Sequence, residues 1–410
     1  MKASTKMALG AVALLVFCTG FCSTLAVAQM PTVDVTGVTA LQSCPSNAGF
    51  YTGDPSHQPA CTTGTIGCAG TLPITPTWSI TNPTATAGTV VFFTGGGGES
   101  AASFPGEEQY FAPIYINANY QVVQISWPSD WEDVNNTGTG PNTPNIRTAA
   151  CRIASFLKYA YLNIYKDNST NTAGMCAQGA SAGGAGIAYS LTWYGAFGFL
   201  DKVVLTSGPP LSDIRQGCQV PNNNPPIPLC PASQGPPNTC NGWPANQTET
   251  PEFSDHADAV ESWSGGTTWT GPGKCANRGG IPTTDDTNWY HMSIVDTSGV
   301  NGTPGFNYPN TSMVSWLCAV PSQEGTNNNS AAQGEIFYNQ FTSASQLGFN
   351  FYQVNAVTGC KGTEGVGDGT PPPSWQQILQ QNHLTVNGSN AIAFEMSSPQ
   401  WPNRCQRLHP

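Results

Sequence analysis

From residue 89 onward, short unbroken apolar runs alternate with segments whose apolar residues recur every three or four positions. Unbroken runs suit strands buried on both faces of a parallel sheet, whereas the three-to-four spacing suits helices with one apolar side. Val90 to Phe93 reads as a buried strand, followed at once by the glycine run Gly95 to Gly98, and Tyr120 to Trp127 as a second strand. A helix is expected from Thr143-Pro144, where proline early in the first turn forfeits no helical hydrogen bond. Ile146, Ala149, Ile153, Phe156, Leu157, Ala160 and Ile164 form its apolar side. Gly174 to Ala177 then makes a short strand, Gly179-Ala180-Ser181-Ala182-Gly183 a turn, and Ile187, Ala188, Leu191 and Tyr194 a helix that stops near Gly195. Leu200 to Thr206, Met313 to Leu317 and Phe349 to Val354 read as further strands, with helices at Ala331 to Phe341 and Ser374 to Gln381.

The fold class this implies is α/β, with a mostly parallel central sheet and helices on both faces. Residues 29–88 carry no long periodic run and are broken by Pro, Gly and three cysteines, so an irregular, disulfide-bonded lead-in is expected there. Residues 89–208 form the first part of the core. Residues 209–308 interrupt it with dense Pro, Asn and Gly and four cysteines, the texture of a stapled cap insertion over a site. Residues 309–410 complete the core and end in a tail.

The first 28 residues have the build of a cleavable signal peptide: Lys2 and Lys6, an apolar run from Ala8 to Phe17, and Ala26-Val27-Ala28 before Gln29. The apolar run falls short of the ~20 residues a spanning helix needs, so no membrane anchor is expected once the leader is removed. Two of the 14 cysteines, Cys18 and Cys22, leave with it; the even remainder fits disulfides in a secreted or periplasmic protein. No C-x-x-C pair or His at zinc spacing accompanies them, so neither metal nor cofactor is expected. The formal charge of −11 makes nucleic acid an unsuitable partner. With charged residues at only 9%, the surface must be built from Asn, Thr, Ser and Gln.

Gly-x-Ser-x-Gly spans residues 179–183, and Gly179, Ala180, Ala182, Gly183, Gly184 and Ala185 crowd Ser181 with small residues. A nucleophile held on a strained turn between strand and helix needs such neighbours, because larger ones would keep the two elements apart. In this G-x-S-A-G-G form the chain resembles the α/β-hydrolase fold, and within it the pectin acetylesterases and related secreted carboxylesterases. The resemblance covers roughly residues 89–210 and the two later strands. It implies an oxyanion hole built from the Ala182 amide and from amides of the Gly95 to Gly98 run, Gly96 and Gly97 above all. Thr94 stands where many esterases carry His. A phosphate-cradling loop is the rival reading of the glycines, but no Lys-Ser or Lys-Thr follows them.

Serine needs a positioned base, itself oriented by a carboxylate, and the fold's chain order is Ser, acid, His. The acid position past the strand ending near Val320 offers Glu324; Asp213, after the strand ending at Thr206, is a second candidate. No histidine occupies the loop after the last strand. His409 and His383 are the later choices, and a Cys360–Cys405 bond would bring His409 to that strand's tip. His57, His256 and His291 come too early, and His291 reads as a packed, hydrogen-bonded histidine. Cap aromatics Trp243, Trp263, Trp269, Trp289 and Tyr290 serve packing more than substrate stacking. The sequence therefore supports a secreted serine esterase with ester substrates, polymeric ones included as for a depolymerase. The absent loop histidine leaves a hydrolase-fold binding protein as the alternative.

Overall fold

A computed structural model describes residues 34–51, 56–95, 107–129, 131–132, 146–165, 172–180, 182–206, 211–212, 290–297, 304–318, 337, 340–341, 349–354 and 405–408. Among them, nine strands make one sheet in the order β1-β2-β3-β5-β4-β6-β7-β8-β9. These are β1 (Val35–Ala40), β2 (Ala60–Ile66), β3 (Thr77–Thr81), β4 (Gly88–Phe93), β5 (Tyr120–Ser126), β6 (Gly174–Ala180), β7 (Lys202–Thr206), β8 (Ser312–Cys318) and β9 (Phe349–Val354). The pairs β1/β2, β2/β3 and β3/β5 are antiparallel, and every pairing from β5 through β4 to β9 is parallel.

The unbroken apolar runs are explained by helices on both faces. Val91, Phe93, Val123 and Ile125 join one core with α3 (Cys151–Asn163) and α4 (Ala182–Tyr194). Their strand neighbours Val90, Phe92 and Val122 join a second core with α1 (Glu107–Asn117). Successive side chains point to opposite faces, so a strand covered on both sides buries apolar residues in succession, and the polar ones it holds, such as Gln121 and Gln124, are hydrogen-bonded to Thr89 and Ser79. Each such fully buried Val, Ile or Phe contributes about 1.5–3 kcal/mol.

Three features differ from the sequence expectation. Where an irregular lead-in is expected at 29–88, the described residues include β1, β2 and β3, which extend the main sheet. β2 buries only Cys61, Gly64 and Ile66 among half-exposed threonines, so its order comes from pairing with neighbours and not from an apolar run of its own. The disulfides expected there are present, linking Cys44 to Cys61 and Cys68 to Cys151. α1 fills the stretch between the glycine run and β5 with a helix, burying Phe111, Ala112, Tyr115 and Ile116 on one side. The expected helix at 143–164 is two: α2 (Ile146–Ala149) and α3, parted at Ala150. Gly195 ends α4 at φ 66°, the left-handed stop that glycine allows.

From β4 the chain steps to β5 on one side, then crosses back over β4 to β6 and continues outward to β9. The strand order therefore reverses between β4 and β6. In open α/β sheets, a crevice opens at the carboxyl ends of strands at such a switch. This is the α/β-hydrolase fold: mostly parallel strands, helices on both faces, and β6, which leads into the Gly-x-Ser-x-Gly motif, beside the switch point.

The insertion expected at 209–308 lies largely outside the described residues, as do its four cysteines, the leader and the helix at 374–381. Two described pieces tie it to the core. Ile294 and Val295 donate N–H bonds to the Leu211 and Ser212 carbonyls, each at 3.1 Å. Tyr189 and Trp193 of α4 donate to the Met292 and Ile294 carbonyls at 2.6 and 3.0 Å. No described helix is long and apolar enough to cross a membrane.

Candidate active site

The two sequence motifs meet at the switch point. β4 and β6 are hydrogen-bonded neighbours with Phe93 opposite Gly179, so the residues after each, Thr94-Gly95 and Ala180, emerge side by side. β6 ends at Ala180 and α4 starts at Ala182, so Ser181 alone separates the strand from the helix along the chain. Ser181 itself lies outside the described residues, as do Gly96, Gly97, Asp213, Glu324, His383 and His409.

The glycines around this turn are dictated by backbone proximity. A Cβ on Gly179 would meet the Gly183 carbonyl carbon at 2.5 Å and the Gly184 nitrogen at 2.7 Å. A Cβ on Gly183 would collide with the Phe93 carbonyl oxygen, and would lie 2.7 Å from both the Phe93 carbonyl carbon and the Thr94 oxygen. Real side chains essentially never approach so closely, so the strand, the helix and the end of β4 sit this near one another only because both positions lack side chains. This is the crowding that the sequence motif implied.

Ala182 opens α4 with its side chain buried, and no acidic residue occupies the helix's first turn. The first amides of a helix carry the positive end of its dipole and lack helical acceptors, so they suit a developing negative charge. Gly95, buried two residues past the end of β4, is the described residue of the glycine run.

The strand directions place the remaining candidates by edge. Parallel β8 and β9 end at Cys318 and Val354 on the same edge as the elbow, so the chain leaves toward Glu324 and toward His383 from that edge. The tail preceding His409 goes the other way. Cys405 is bonded to Cys176, early in β6, with Cα atoms 6.0 Å apart, and not to Cys360. Gln406 bridges Ala173; Arg407 donates to the Thr172 carbonyl at 3.2 Å, and the Leu408 N–H to Asp201 Oδ1 at 2.6 Å. Asp201 also accepts the Met175 N–H at 2.8 Å, just before β7 begins. Leu408 is thus held at the amino edge of the sheet. At ~3.3 Å per residue, β6 separates that edge from Ser181 by roughly 20 Å. One further residue and an imidazole reach on the order of 10 Å. A Cys360–Cys405 bond is the condition for placing His409 at the last strand's tip, and Cys405 pairs with Cys176 instead.

His291 is buried and its Nδ1 lies 3.2 Å from Asp296 Oδ2, as a packed, hydrogen-bonded histidine should. The same carboxylate meets Arg147 Nη1 at 3.3 Å, and the guanidinium lies 4.1 Å over the Trp193 ring. Burial pushes the Arg147 pKa down, while Asp296 opposes that shift. The cluster locks the returning end of the insertion to α2 and α4.

No family model matches the chain, and no curated protein matches it. Solved structures do. Acetyl xylan esterase 1 from Thermoanaerobacterium sp. JW/SL YS485 is 12% identical, the match covering 82% of this chain and 87% of that one, with a TM-score of 0.42. Carboxyl esterase 2 from the mycorrhizal fungus Tuber melanosporum is 13% identical over 96% and 97%, at 0.41. Brefeldin A esterase, a bacterial homologue of human hormone sensitive lipase, is 12% identical over 95% and 86%, at 0.40. Likenesses at this level carry no argument about reaction or substrate; the fold rests on the strand order and the elbow geometry.

Proposed function

We propose that the protein is an exported serine hydrolase that cleaves carboxylic esters through an acyl-enzyme on Ser181. The observation that carries this reading is the single-residue passage from β6 to α4, pressed against the end of β4 by Gly179 and Gly183. A hydroxyl on such a turn stands beside helix amides and the start of a glycine run.

In the proposed reaction the Ser181 hydroxyl adds to the ester carbonyl while a histidine takes its proton. Negative charge gathers on the carbonyl oxygen, received by the Ala182 amide and by amides of Gly96 and Gly97. The tetrahedral adduct collapses, the C–O bond to the alcohol breaks, and the histidine returns the proton to the leaving alkoxide. Water, deprotonated by the same histidine, then releases the acid and restores Ser181.

His383 is the base this reading prefers, since it lies on the chain between the elbow-side end of β9 and the opposite edge reached at Cys405. Glu324, which follows β8, is the matching acid, and Asp213 is the second candidate. Export is supported by the leader and by the disulfides, which persist in oxidising compartments. An exported esterase meets polymer-bound esters that cannot enter a cell, so polymeric substrates belong in the assay.

Labelling with a fluorophosphonate followed by peptide mapping tests the proposal. A phosphonyl adduct on Ser181, absent in Ser181→Ala, is the expected result. An unlabelled, folded wild type rules the esterase out.

A further inference from the structure

Thr94 is 3% exposed, and its hydroxyl has no hydrogen-bond partner among the described residues. Leaving a buried hydroxyl unpaired costs on the order of 1–3 kcal/mol, so a folded protein rarely keeps one without reason. The position of this one is specific. Thr94 is the first residue beyond β4 and the last before the glycine run, and its main-chain oxygen bounds the space at Gly183 in the first turn of α4.

Valine would fill the same volume and spare the cost. A hydroxyl that has no acceptor among the described residues gains one if negative charge appears beside it only during reaction. Donors poised in this way stabilise the transition state without stabilising the ground state, which is how they raise kcat rather than lower KM.

We infer that the Thr94 hydroxyl is a third oxyanion donor, a side-chain partner to the Ala182 and glycine-run amides, on the esterase reading above. It binds the carbonyl oxygen of an ester as the tetrahedral adduct forms and releases it on collapse, with no change in its own protonation.

Thr94→Val and Thr94→Ser test this in the full-length exported protein, assayed by p-nitrophenyl acetate turnover, fluorophosphonate labelling rate and urea unfolding. Thr94→Val should lower kcat about 100-fold with KM within about twofold, the loss usual for one oxyanion donor. It should slow labelling comparably, and resist urea at least as well as the wild type. Thr94→Ser, which keeps the hydroxyl, should restore most of kcat. Wild-type kcat in Thr94→Val overturns the inference while leaving the esterase intact, and so does a loss in Thr94→Val that Thr94→Ser does not recover. A wild type that neither turns over ester nor labels on Ser181 removes the esterase reading, and this donor with it.

Discussion

The α-carbon of Gly183 faces the main-chain carbonyl of Phe93 with no room for a methyl group between them: a Cβ there would lie 2.7 Å from the carbonyl carbon. Gly183→Ala must therefore push α4 away from β4 and move Ala182 from its place at the helix start. Overpacking of this kind costs about 1–3 kcal/mol. We expect a urea midpoint lowered accordingly and a disproportionate fall in ester turnover. Gly305→Ala, whose added Cβ would meet nothing nearer than 3.7 Å, is the control and should change neither.

The two late histidines part cleanly. His383→Ala should abolish p-nitrophenyl acetate turnover, while His409→Ala should keep it, because Leu408 is tethered to Asp201 at the edge away from the elbow. Turnover that survives His383→Ala but not His409→Ala would reverse the assignment.

Peptide mapping without reduction should recover Cys176 linked to Cys405. Replacing both with alanine should cost about 2–5 kcal/mol of stability, the range for loss of a native disulfide. The kcat of the folded variant should stay near that of the wild type, since the bond joins the tail to the far edge of the sheet. A Cys360–Cys405 peptide would contradict this arrangement.

Asp296 neutralises an Arg147 that is almost wholly buried beneath Trp193, the two side chains being 1% and 8% exposed. Asp296→Ala leaves that cation buried without its carboxylate, a change worth about 3–5 kcal/mol. Replacing Arg147 with Met as well should recover much of the loss, because the isolated charge goes with it. Thermal unfolding of the two variants reads the difference; equal melting temperatures would show that the pair does not hold the insertion's end.

Tyr189 and Tyr308 are buried and Tyr194 is half-buried, and loss of solvent around the rings pushes all three phenols above the usual tyrosine range. Their folded pKa values are raised, so the stability they allow is present below ~10, where unfolded tyrosine stays neutral, and is lost as pH rises further. Each phenol that ionises only on unfolding removes about 1.4 kcal/mol per pH unit. Urea unfolding at pH 9, 10 and 11 should show stability level to pH 10 and falling steeply beyond. Tyr308→Phe should make the fall shallower.

Much of the core could be read from the sequence because local rules govern it. The strand at Val90 to Phe93 shows in its apolar run, that at Tyr120 to Ser126 in its β-branched and aromatic residues, and the stop at Gly195 in its glycine. The crowding of Gly179 and Gly183 against neighbouring backbone was legible as a motif. β1 to β3 were not, because Thr-rich strands such as β2 are ordered by partners far along the chain. α1 was passed over although Phe111, Ala112, Tyr115 and Ile116 carry a readable helical spacing.

What the sequence determined by itself was therefore the tight glycine-flanked passage from strand to helix and the alternation of strands and helices, since both follow from steric size and from period along the chain. Tertiary structure alone decided which cysteine holds the tail, and hence which edge of the sheet the last residues occupy. It also decided that β4 and β6, the strands that lead into the glycine run and the serine motif, lie side by side at a reversal of strand order. Pairing between distant segments depends on how the whole sheet closes, and no local pattern around Cys176 or Cys405 encodes that.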